Sequence, residues 1–154
     1  MRGPTLPTTL KKLGPALVNL HLRNLHIKTL PSNFSEYWKS QMRWLSLRGN
    51  ELAHFPVQLK QLKALAYCNL GLTSLQAIPS DFTHADLTTL LVNGNALTTV
   101  PGTLLRQFPK LNRFRMDQNN IADLSNVNVS HAQLEKMTRF TFSGNPVCSA
   151  LDQP

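Results

Sequence analysis

Apolar and polar residues follow one recurring order along this chain, clearest between Leu87 and Pro101, which read LTTLLVNGNALTTVP. Counted from Leu87, apolar side chains take the first, fourth, sixth, eleventh and fourteenth places, and asparagine takes the ninth. The same order starts at Leu17, Met42, Leu65, Leu87, Leu111 and Met137, with spacings of 25, 23, 22, 24 and 26 residues. The fourth place reads Leu20, Leu45, Cys68, Leu90, Phe114 and Phe140, and the sixth Leu22, Leu47, Leu70, Val92, Met116 and Phe142. The eleventh reads Ile27, Leu52, Leu75, Leu97, Ile121 and Val147. Leu30, Phe55, Ile78, Val100 and Leu124 stand three places later, and Pro31, Pro56, Pro79 and Pro101 follow four of them.

The period-2 alternation around the fourth and sixth places predicts a short strand with one buried face. Some twenty residues must return before the next strand, so neighbouring strands run parallel, because a tight hairpin cannot join them. No unit of this length buries its own apolar face; the core arises by stacking one coil on the next. Proline after the closing residue has a fixed φ and no N–H, which suits departure from a turn. On the return path, Leu59 with Leu62, and Leu104 and Leu105 with Phe108, have the spacing of short helices tucked onto the core.

The ninth place has its own chemistry. A buried amide both donates and accepts, so Asn50, Asn95, Asn119 and Asn145 are expected to pair turn backbone groups that would otherwise cost about 1–3 kcal/mol each. Leu25 and Thr73 occupy this place in the first and third registers. A threonine hydroxyl can do part of the work and leucine none, so the first turn is expected to be irregular, with Asn24 compensating.

This signature is that of the leucine-rich repeats, and the chain resembles that family over about residues 6–151. The resemblance implies an α/β solenoid, a right-handed curved coil. A parallel concave sheet of about six short strands would line it, with short helices or irregular turns on the convex side. It also implies a recognition scaffold with no catalytic residues in its repeats. Gly144-Asn145-Pro146-Val147-Cys148 is similar to the closing repeat of receptor-like kinases and related extracellular recognition proteins, which implies an alternative as a ligand-binding ectodomain fragment of such a receptor.

Composition fits a single folded domain of 154 residues, 42% of them hydrophobic. Residues 17–151 form the repeat array, 152–154 a tail, and 1–16 a remnant of a preceding repeat or an N-terminal cap, since Leu6 to Leu13 reads like the end of an earlier unit. The expectation is therefore a piece of a longer array or a reduced descendant of one. No apolar run is long enough for a membrane helix, and residues 1–7 lack the apolar stretch of a secretory leader. That favours the cytoplasm, or the extracellular space if the chain belongs to a receptor. Cys68 sits in a core column and is read as a buried thiol, three repeats from Cys148, so no disulfide is expected.

Net charge is +8, and its distribution changes the picture. Six of the eight arginines (Arg23, Arg43, Arg48, Arg113, Arg115 and Arg139) fall at outward strand positions, with none of the eight lysines and, of the acids, only Asp117. Arginine's planar fork matches carboxylates in two-point contact and stacks on aromatics, whereas lysine is a hydrated point charge. Trp44 and Tyr67 fall on neighbouring strands beside Arg43 and Arg48. The eight side chains together are the expected partner-binding set, for an acidic protein or peptide laid across the sheet of a monomer. Nucleic acid is disfavoured, because no recognition motif accompanies the charge. The five histidines are scattered without cysteine or paired acids at ligand spacing, so no metal or other cofactor is expected. Nor does any nucleophile or phosphate-loop motif suggest an enzyme. The triplets at Asn33 and Asn128 match the glycosylation pattern, but this many Asn, Ser and Thr supply two by chance.

Overall fold

The computed structural model describes Leu6 and residues 8–151. Six three-residue strands, β1 (Asn19–His21), β2 (Trp44–Ser46), β3 (Tyr67–Asn69), β4 (Thr89–Leu91), β5 (Arg113–Arg115) and β6 (Arg139–Thr141), form one sheet in chain order. All five pairings are parallel, in the register that sets the fourth-place residues side by side from Leu20 to Phe140. One strand per register is the predicted solenoid. Fourth- and sixth-place side chains are buried in the first five coils, whereas Phe140 and Phe142 of the sixth are only half-buried. The core is one continuous apolar cluster running from Leu6 to Ile121, with Phe140 and Phe142 packed against its end.

Four of the five return paths carry short helical turns, and the one between β3 and β4 carries none. Those at Phe34–Tyr37 and Val57–Gln61 are 3-10 turns, and α1 (Leu104–Gln107) and α2 (His131–Glu135) are single α-turns. Leu59, Leu62, Leu104, Leu105 and Phe108 are buried, as their spacing predicts. Ahead of the array, a 3-10 turn covers Thr8–Leu13, Leu6 reaches the core, and the buried Trp38 donates from Nε1 to the Gly14 carbonyl at 3.2 Å. Of the segment expected to be a remnant of a preceding repeat or an N-terminal cap, residues 1–5 and 7 lie outside the described residues, as does the expected tail at 152–154. The chain closes on α3 (Pro146–Leu151), and among the described residues no helix is long and apolar enough to cross a membrane.

The asparagine ladder works with an offset of one coil. Asn50 Oδ1 accepts from the amides of Leu25 and Ile27 in the preceding coil, both at 3.0 Å. Its Nδ2 donates to the Leu22 carbonyl at 2.7 Å and to its own coil's Leu47 carbonyl at 2.6 Å. Asn95 serves Thr73, Leu75, Leu70 and Val92 in the same way, and Asn119 and Asn145 repeat the scheme. Leucine at position 25 therefore leaves the first turn's amides paired, because the second coil supplies the acceptor. Asn24 does not compensate, contrary to the expectation from sequence; its role is in the backbone. Thr73 does part of the work, donating to the Leu70 carbonyl at 2.7 Å.

The eighth place holds a feature that the apolar columns do not reveal. Its residue has a left-handed backbone in all six coils: Asn24, Gly49, Leu72, Gly94, Gln118 and Gly144, with φ between 54° and 72°. Glycine alternates with a side chain, and the two interlock. A Cβ on Gly49 would lie 1.8 Å from Asn24 Oδ1, one on Gly94 2.4 Å from Leu72 Cδ2, and one on Gly144 3.3 Å from Gln118 Cγ. Each side chain of the odd coils thus lies over the bare backbone of the next. In the first and third coils, which lack the ninth-place asparagine, His26 and Ser74 at the tenth place are left-handed as well. The irregular first turn is real, and the third shares it.

Candidate functional site: the inner sheet face

Period-2 alternation turns the third, fifth and seventh places of every coil away from the core. The third-place row runs Asn19, Trp44, Tyr67, Thr89, Arg113, Arg139 across the strands, and the fifth-place row His21, Ser46, Asn69, Leu91, Arg115, Thr141. Arg23 and Arg48 stand at the seventh place of the first two coils, and Arg43 at the strand-entry edge of β2. All six arginines are exposed or half-buried on this side, and Lys60 lies on the opposite, helical side.

The face is not uniform. At one station Trp44 and Tyr67 stack, with ring centroids 3.6 Å apart and planes 13° from parallel. The partner of Trp44 is thus an aromatic ring rather than an arginine stem, and the indole remains 41% exposed. At the other station, Arg113 and Arg139 are direct cross-strand neighbours. Between the two lies a low floor: Asn69, Gly71 and Thr89 are buried and Leu91 and Asn93 half-buried. Ser46, Asn69, Gly71, Thr89 and Asp117 all point outward by parity, yet neighbours cover them. Arg23 Nε donates to Ser46 Oγ at 3.0 Å, and Asn69 Oδ1 accepts from the Gly71 amide at 2.9 Å.

Asp117 is the organising residue of the arginine station. Its carboxylate accepts from Arg115 Nε at 3.0 Å, Thr141 Oγ1 at 2.7 Å, and the Ser143 amide and Oγ at 3.0 and 2.9 Å. Burial works against its charge, but the hydrogen bonds from Thr141, Ser143 and Arg115 outweigh it and hold the carboxyl below its ordinary value. Arg115 is consequently committed within the chain, whereas Arg43, Arg48, Arg113 and Arg139 have no acidic partner among the described residues. Lysines elsewhere do find acids, Lys28 with Glu51 and Lys110 with Asp86. Thr141 and Ser143 fall at outward positions of the face, but sequence reasoning gave them no role there. The available signal was a lone acid in a row of arginines, which demands donors close by.

Other chemistry is sparse. Among the described residues, no group of three or more His, Cys, Asp or Glu could hold a metal ion. His84 is buried, with Nε2 2.9 Å from the Leu62 carbonyl; burial lowers its pKa from 6.5. Cys68 lies wholly inside, and burial pushes its thiol up to about 12, so it is an inert core residue as expected. Cys148 is a free thiol whose Sγ lies 3.3 Å from the Phe142 carbonyl.

No family model matches the chain. Among curated proteins it is similar to lumican of Bos taurus, with 29% identity over 118 residues, covering 73% of this chain and 33% of lumican. It is also similar to fibromodulin of Oryctolagus cuniculus, with 28% identity over 149 residues, covering 89% of this chain and 95% of that sequence. The chain thus spans about a third of the length of that lumican. A leucine-rich-repeat protein of Leptospira interrogans superposes with a TM-score of 0.64 at 19% identity, over 92% of this chain and 46% of the other, a likeness of fold.

Proposed function

We propose, from the premise that this chain is a leucine-rich-repeat protein, that it is a non-enzymatic scaffold whose inner face binds an acidic protein or peptide segment. The observation that carries the reading is the set of four guanidiniums, Arg43, Arg48, Arg113 and Arg139, displayed on one face without an acid of their own. Guanidinium forks suit carboxylates in two-point contact. The stacked rings beside them supply the apolar contact from which interfaces draw much of their binding energy. The pentapeptide Gly144 to Cys148, on which the receptor-kinase alternative rests, also has structural places in the repeat. Gly144 meets the left-handed eighth place, Asn145 completes the ladder, and Pro146 opens α3.

Charge reversal tests the proposal. Arg43→Glu, Arg48→Glu, Arg113→Glu or Arg139→Glu should each weaken binding of an acidic peptide at least about tenfold, a loss of about 1.4 kcal/mol. Lys60→Glu should leave it unchanged. Equal losses at Lys60 and at the arginines would sink the reading. Tighter binding of a nucleic acid than of the acidic peptide, with a steep linear fall of log affinity with log salt, would point to counterion release instead.

A further inference from the structure

We infer that the inner face reads spacing: it selects an extended segment with an aromatic residue at one position and carboxylates four and six residues away. The inference rests on the acidic-segment reading and adds a ruler to it. The third-place row fixes the two ends of that ruler, the Trp44–Tyr67 stack and the Arg113–Arg139 pair, with Thr89 alone between them.

Each end lacks something that a partner could supply. At the ring station the two rings stack closer than the strand spacing of about 4.8 Å, and the exposed indole of Trp44 leaves the pair open to a further ring. A partner's aromatic ring adds to the pair in one of the favoured geometries, offset-stacked or edge-to-face. At the other end, like charges directly opposite on parallel strands repel, and the nearest acid, Asp117, is occupied by Arg115, Thr141 and Ser143. Two carboxylates would relieve that repulsion. Between the stations the floor is made of small or buried side chains, with the Arg48 guanidinium reaching over Gly71 at its near end.

The lengths agree. From the middle of the ring pair to β5 is two and a half strand spacings, about 12 Å. Four residues of extended chain cover about 13 Å, and side chains at i, i+4 and i+6 share one face. The last two are about 6.6 Å apart, against about 4.8 Å between β5 and β6, a mismatch that long arginine stems absorb. A segment lying across the strands cannot hydrogen-bond to them as a seventh strand, so recognition rests on side chains and hence on their spacing.

The experiment uses the full chain and synthetic Ser/Thr peptides carrying one Phe and two Glu, made with the acids on either side of the aromatic. Fluorescence anisotropy gives Kd, and Trp44 emission reports on the ring station. In the better direction, the +4/+6 peptide should bind at least about tenfold tighter than the +3/+5 peptide, which turns the acids to the opposite face. Arg113→Ala with Arg139→Ala, and separately Trp44→Ala, should abolish that preference while each variant still unfolds cooperatively on heating. Affinities within twofold for every spacing would overturn the ruler and leave the acidic-partner reading standing. Failure of every acidic peptide to bind would overturn both.

Discussion

The fifth and sixth coils carry the same pattern and live in different surroundings. Phe114 and Met116 of the fifth are fully buried; Phe140 and Phe142, in the corresponding places of the sixth, are half-buried. The contrast shows that burial in a solenoid is supplied by the next coil rather than by a residue's own. The sixth coil compensates with polar attachments. Thr141 and Ser143 grip Asp117, and Asn145 reaches back to the Met116 carbonyl and the Ile121 amide. One coil is held from both sides by apolar contact, the other from one side with a carboxylate as clamp.

Truncating the paired phenylalanines strikes that contrast hardest. Phe114→Ala should cost about 3–5 kcal/mol in urea unfolding, whereas Phe140→Ala should cost no more than about half as much, because part of its surface is already wet. Equal losses would mean that the sixth coil is covered in solution. Asp117→Asn should cost about 2–3 kcal/mol, since one acceptor serves four donors. Hydrogen exchange localises the effect: the Met116, Gln118 and Ser143 amides should exchange faster, with Leu47 and Leu70 little changed.

Acid sharpens the same comparison. A carboxyl whose folded pKa lies below its ordinary 3.8 stabilises the fold above that pH, and the contribution is lost as pH falls through the depressed value. The acid limb of the stability curve should therefore be shallower in Asp117→Asn than in the parent chain. His84 acts in a separate window. Burial depresses its pKa, so its contribution is full above 6.5 and declines as pH falls from there towards the folded value. His84→Gln should flatten the curve in that window alone. The smallest effect belongs to the eighth place. Gly94→Ala should cost about 1–2 kcal/mol for a side chain at positive φ, and Leu72→Ala should recover only the added crowding, since it does not alter the backbone.

Much of the fold is legible in the sequence because its rule is local. Six starts, the fourth- and sixth-place columns and the outer turns at Leu59 and Leu104 follow from period and spacing alone. What escapes that reading depends on how one coil meets the next. Position alone gives Asn50 to its own turn, yet it also serves the turn before it, a relation visible only once coils are stacked. Ser46, Asn69 and Thr89 point outward by parity, yet neighbouring side chains cover them. The arginine row is readable from position, but the commitment of Arg115 to Asp117 is not, since it depends on donors one coil further on. The alternation of Gly49, Gly94 and Gly144 with Asn24, Leu72 and Gln118 stands in plain view and has no meaning until the backbone angles supply one.

That alternation makes the array count in twos. Removal of a single coil, such as the second, would set Asn24 against Leu72, two bulky groups contending for a space that admits one. Elsewhere a lone insertion would set glycine beside glycine and leave a gap. Lengthening or shortening by pairs preserves the fit, so grafts of this scaffold should keep its parity.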